Sequence, residues 1–153
     1  MKSLALVFGL TLSLTATAAG QGCEANFTVV WKDQLNNVRQ GLSADDLKWF
    51  QKKMAKKYPG VCYSDPSPSV PLTFFISEVP GTKVIDGTEH SRPTFYLSLE
   101  RRNGDKFVVL HTFSQRDCPI CHPQHDVIED AVKWIHNGGM TDPKQGVVPP
   151  ETP

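Results

Sequence analysis

The feature that most constrains this chain is its N-terminal segment, which reads as a cleavable export signal. Met1-Lys2 gives a short positive start and residues 4–15 form an almost unbroken apolar run. Ala16-Thr17-Ala18 then supplies the small-x-small pattern that a signal peptidase pocket admits. The run is too short to persist as a membrane-crossing helix, which takes roughly twenty residues. A lipid anchor on Cys23 would need an apolar residue three places earlier and a small one two places earlier, where Gly20-Gln21 stand. The expectation is that residues 1–18 are removed, leaving a secreted or periplasmic chain with no stable membrane anchor.

Export places the rest of the chain in an oxidising compartment, and all four cysteines (Cys23, Cys62, Cys118 and Cys121) lie in that part. An even count there predicts disulfides, although four cysteines permit three pairings. Cys23 with Cys62 is the simplest bridge, tying the mature N-terminus to the end of a helix. About 135 residues suit one domain with a core of its own. We expect that domain over residues 19–139, followed by a proline-containing disordered tail over 140–153. The 16 basic and 16 acidic residues balance, so bulk charge argues against nucleic acid as a partner. No internal repeat is present.

Residues 27–31 suit a strand, yet Trp31, Leu35 and Val38 are also spaced for a short helix. Ser43 followed by Asp46 is a helix-capping pattern. Leu47, Phe50, Met54 and Tyr58 then recur at three and four residues, the stripe of a helix facing a core, until Pro59-Gly60 stops it. Lys48, Lys52, Lys53, Lys56 and Lys57 line its other side, which reads as a solvated face lacking the interleaved aromatics of a nucleic-acid surface. Residues 64–71 form a proline and serine connector. Strand-like runs follow at 72–79, 94–100 and 106–113, with Phe95, Leu97 and Leu99 alternating toward one face. Arg102-Asn103-Gly104-Asp105 is a hairpin turn, and residues 80–93 hold a looser hairpin or loop. A last helix is expected from Asp126, as its cap, to His136, with Val127, Ile128, Ala131, Trp134 and Ile135 inward and a Glu129–Lys133 surface pair. The fold class predicted is α+β: an antiparallel three-to-four-stranded meander with helices packed on one face.

One segment carries chemistry: Cys118-Pro119-Ile120-Cys121-His122-Pro123-Gln124-His125. Cys-x-x-Cys-His is the attachment pattern of haem c: two thiols add to one porphyrin edge and the next histidine ligates the iron. Over those five residues the chain resembles c-type cytochromes, which implies Cys118, Cys121 and His122 as cofactor-binding residues. Met140 or His111 would then serve as the sixth ligand, or the site would stay open. A thioredoxin-like redox site also has Cys-x-x-Cys before a helix, but that fold needs two more strands and a helix afterwards. Zinc or copper on His122 and His125, with or without the thiols, is a third reading. Its weakness is that adjacent Cys121 and His122 cannot easily take two corners of one tetrahedron. The plain structural reading is a Cys118–Cys121 disulfide loop with two polar histidines at a helix entry, and no cofactor.

Two stretches look familiar. Trp49-Phe50-Gln51-Lys52-Lys53 running into Lys57-Tyr58-Pro59-Gly60, and Ile128-Glu129-Asp130-Ala131-Val132-Lys133-Trp134-Ile135 before Gly138-Gly139, resemble small exported proteins of acidobacterial type. That family has no assigned activity, so the resemblance implies no site; it does imply that a glycine-rich loop often stands where this chain has Cys118 and Cys121. Elsewhere no nucleophile elbow or paired acid and base is visible, which points away from an enzyme. Asp86, Glu89 and His90 cluster in the 80–93 connection, where a solvated loop is the simpler account. The expectation is a disulfide-stabilised binding or structural module, with a mono-haem c protein as the competing reading.

Overall fold

The computed structural model describes residues 22–116 and 122–141. The export signal, Cys118, Cys121 and residues 142–153 lie outside the described residues.

Strand β1 (Ala25–Lys32) settles the first ambiguity: the apolar run is extended, and Leu35 and Val38 are left exposed rather than forming a helical stripe. Asp33 bends the chain by accepting hydrogen bonds from the Leu35 and Asn37 amides, at 2.8 and 2.9 Å. Short β2 (Val38–Gln40) then folds back antiparallel on β1. The first helix begins as the sequence predicts. Ser43 Oγ accepts the Asp46 amide at 3.2 Å and donates to the Asp46 carboxylate at 2.6 Å. It runs through α1 (Ala44–Trp49), a wider π-helical turn (Phe50–Met54) in which the Ala55 amide reaches Phe50 O, and α2 (Ala55–Lys57). Phe50, Met54 and Tyr58 are buried, as their spacing predicts, and the five lysines are exposed.

The chain returns to β1 as β3 (Val61–Tyr63), which pairs parallel with residues 25–27, beside the Cys23–Cys62 disulfide. After the 64–71 connector come β4 (Leu72–Val79), the exposed hairpin of β5 (Thr82–Ile85) and β6 (Thr88–Ser91), β7 (Thr94–Asn103) and β8 (Lys106–Arg116). Asp86 and Gly87 turn the small hairpin with φ of 51° and 77°, and Gly104 turns the large one at 63°. β4, β7 and β8 form the expected meander.

The sheet as a whole corrects the prediction. It is mixed and six-stranded, ordered β2-β1-β4-β7-β8, with β3 also on β1. β1 lies parallel to β4, because the helix between them acts as the crossover that parallel neighbours require.

α3 (Pro123–His136) starts three residues earlier than the sequence reading placed it. His122, not Asp126, holds the cap position, and Pro123 opens the helix: its missing amide would have been unpaired there and its fixed φ suits the first turn. Asp126 sits in that first turn, where a carboxylate suits the helix dipole. Trp134 is only half-buried, and Val132 takes a fully buried place instead. Glu129 feels the charge of Lys133, as the sequence predicts, and also pairs with Lys57 and accepts from the Tyr58 hydroxyl at 3.2 Å.

Both helices pack on one face of the sheet. Phe27 and Val29, Leu72, Phe74 and Ile76, and Phe95, Leu97 and Leu99 meet Phe50, Met54, Val127, Ile128, Ala131 and Ile135 in a single core. Phe27 stacks on Phe74 at 4.0 Å and takes edge contacts from Phe50 and Tyr63. Met140, placed by sequence in the tail, packs against this core, because the Thr141 amide and hydroxyl both return to Gly138 O.

Candidate functional site

Of the cysteine-histidine segment, His122 and His125 are described. His122 caps α3 without a side-chain hydrogen bond and is exposed. His125 lies one turn on and faces α1. Its Nε2 is 2.9 Å from Asp46 Oδ1, and its ring stacks on Trp49 with centroids 3.9 Å apart and planes 9° from parallel. Asp46 is therefore held from three sides, by Ser43, by His125 and by Arg39 at 3.8 Å. Partial burial pushes the Asp46 carboxyl upward, but the hydrogen bonds from Ser43 and His125 outweigh it and hold the group below the usual range. The two imidazoles stand 5.6 Å apart, in a cleft of about 250 Å³ lined also by Trp49, Lys53, Asp126 and Glu129.

The two residues considered as distal haem ligands lie elsewhere. Met140 follows the far end of α3, with Arg101 Nη2 3.9 Å from its sulfur. His111 stacks on Trp134 at 5.0 Å and meets Phe113 edge-on, near the same far end. At 1.5 Å of rise per residue, about 18 Å of helix separates them from His122, so neither faces it across one iron atom. His111 Nδ1 is buried without a partner, and burial lowers the pKa of that imidazole. Asp86, Glu89 and His90 are spread over the exposed β5–β6 hairpin. No group of three or more metal-ligating side chains occurs among the described residues.

A second concavity, which sequence reading missed, lies on the helix-free face of the sheet. Alternation along β1 and β4 sends Thr28, Val30, Thr73 and Phe75 to that face, with Thr28 beside Thr73 and Val30 beside Phe75 in the parallel register. The 64–71 connector folds over one end. It is fixed where the Ser64 amide meets Phe27 O at 2.9 Å and where the Arg102 amide meets Pro71 O at 3.0 Å. The resulting cleft, about 310 Å³, has Pro66, Pro68 and Val70 as one wall and Val30 and Phe107 as another. Thr28 and Thr73 form its floor at only 5% and 8% exposure, and Thr28 Oγ1 has no hydrogen-bond partner. Arg102 stands at the rim, its guanidinium 5.0 Å over the Phe107 ring.

Among the described residues no helix is long and apolar enough to cross a membrane. Comparison of the chain with protein-family models, with curated proteins and with solved structures returned no match.

Proposed function

We propose that this chain is an exported, disulfide-stapled binding domain whose site is the cleft between the 64–71 connector and the open sheet face. The observation that carries the reading is the cleft itself, about 310 Å³ between the connector and the open sheet face, with apolar walls and Arg102 at its rim. The lining suits a small molecule with an apolar body against Val30, Val70 and Phe107. The Arg102 guanidinium favours an anionic end.

The test is a ligand-observed NMR screen of small aliphatic and aromatic carboxylates against the mature chain and its Val30→Trp variant. Val30 is half-buried and lines the cleft, so a larger ring fills the space without entering the helix-side core. Binders displaced by Val30→Trp support the reading. Binders indifferent to it, or none at all, sink it.

The haem reading keeps one observation in its favour, that His122 is exposed at the entry to α3 and makes no side-chain cap hydrogen bond. Production in a host that attaches haem c separates the two. A red product heavier by one haem, abolished by Cys121→Ser, would establish the cofactor; a colourless product whose mass fits two disulfides would remove it.

A further inference from the structure

We propose that His122 and His125 form a two-imidazole site for a divalent transition-metal ion of tetrahedral preference such as Zn(II), with Asp46 as the residue that positions His125. The site lies on the helix-bearing side, away from the cleft, and stands or falls independently of it.

Three observations converge. First, the ring centroids are 5.6 Å apart. With a metal–nitrogen bond of 2.0–2.1 Å, rings at that spacing whose free nitrogens turn to a shared ion would meet it at about 120°, within the range of tetrahedral and trigonal sites. Second, His125 uses Nε2 on the Asp46 carboxylate, and Nδ1 has no described hydrogen-bond partner. An imidazole that gives one N–H to a carboxylate presents a lone pair on its other nitrogen, the arrangement that fixes tautomer and ring orientation in metal-binding histidines. Third, both geometric constraints are already in place. Asp46 is anchored by the Ser43 hydroxyl at 2.6 Å, and the Trp49 indole holds the His125 ring at 3.9 Å. Asp126 lines the same cleft, as does Glu129, which is paired with Lys57. No group of three or more metal-ligating side chains occurs among the described residues, so the proposal rests on the two imidazoles as its protein donors. Imidazole suits Zn(II).

The test uses the mature, untagged chain titrated with Zn(II) by isothermal calorimetry and with Co(II), which takes the same tetrahedral geometry and quenches indoles, by tryptophan fluorescence. Co(II) at His125 would lie against Trp49 and should quench that indole, while Trp31 and Trp134 report little. One equivalent should bind. His122→Ala and His125→Ala should each weaken binding at least tenfold. Asp46→Asn, which keeps the side-chain shape, should weaken it by about tenfold or more, the usual effect of losing such an outer partner. A Cys118→Ser/Cys121→Ser chain should bind as well as the parent. His122 is exposed and makes no side-chain cap, so His122→Ala decides the question even where His125→Ala perturbs packing. Unchanged affinity in His122→Ala, binding lost in the double-serine chain, or no quenching on saturation would each overturn the proposal.

Discussion

Removing the Cys23–Cys62 bridge should cost this domain about 4 kcal/mol, nearly all of it through the denatured chain. The bridge joins positions 39 apart in sequence. Closing a loop of that length removes about 13 cal/mol/K from the denatured chain in the entropy model, or about 4 kcal/mol at 25 °C. In the folded state the bonded residues are held by other means as well: the Glu24 and Ala25 amides both donate to Gly60 O, and β1 and β3 pair over three residues. Those contacts remain in Cys23→Ser/Cys62→Ser, so the loss falls on the denatured state. Domains of this size are stable by about 5–15 kcal/mol, so the variant should fold but melt early. Urea unfolding at pH 7 is the assay, with Cys118→Ser and Cys121→Ser present in both proteins to prevent exchange. At an m-value of about 1.5 kcal/mol/M the midpoint should fall by about 2.5 M, and m should rise because an open chain exposes more surface. A loss below about 1 kcal/mol with m unchanged would refute this account, since it would mean the denatured chain is already confined without the bridge.

Phe27 is fully buried and touches three aromatic rings, so Phe27→Ala should destabilise by about 3–5 kcal/mol in the same assay and Phe27→Leu by clearly less. Burial lowers the His111 pKa, so the denatured chain binds more protons once pH drops below about 6.5. Stability should therefore fall between neutral pH and the lowered folded value. His111→Phe, which has no buried Nδ1 to leave unpaired, should flatten that part of a melting-temperature profile from pH 5 to 8. A Cβ at residue 139 would run into the Trp134 indole at Cε2, so Gly139→Ala must displace the indole from His111. The expected cost is about 1–3 kcal/mol, with a loss of near-ultraviolet circular dichroism.

Local chemistry was legible where one short segment settles it. Ser43 and Asp46 specify a helix start through their own side chains, and Asn103-Gly104-Asp105 specifies a tight return between runs that alternate. Pairing at a distance could not be read in the same way. β1 and β4 are apolar runs separated by about 40 residues, and each would look the same in a parallel or an antiparallel sheet. A helix lying between two strands is the pattern of a parallel unit, and that was the available signal for the mixed sheet. The outer cleft shares this cause. Thr28 beside Thr73 exists only in the parallel register, so no inspection of either segment alone reveals a buried hydroxyl pair. Pro123 misled for a different reason. A proline excludes a helix interior but favours its first turn, and the sequence before Asp126 carries too little periodicity to tell the two apart.

Asp46 joins the two scales. Its sequence position, three residues after Ser43, is fully explained by helix capping. Capping uses the Asp46 amide and Oδ2, however, and leaves Oδ1 for His125, 79 residues away. A carboxylate already oriented by its cap loses little further rotamer freedom in binding the imidazole, so the long-range contact forms at low entropic cost. The same economy makes α1 a rigid mount for the α3 entry, with Trp49, one turn after Asp45, stacked on the ring. Ser43→Ala should therefore do more than fray a helix end. Weakening the cap by about 1 kcal/mol would also loosen Asp46 from His125, giving greater imidazole mobility at a residue far along the chain. Side-chain NMR of His125 would detect this, and an unchanged ring environment in Ser43→Ala would show that the cap and the contact are independent.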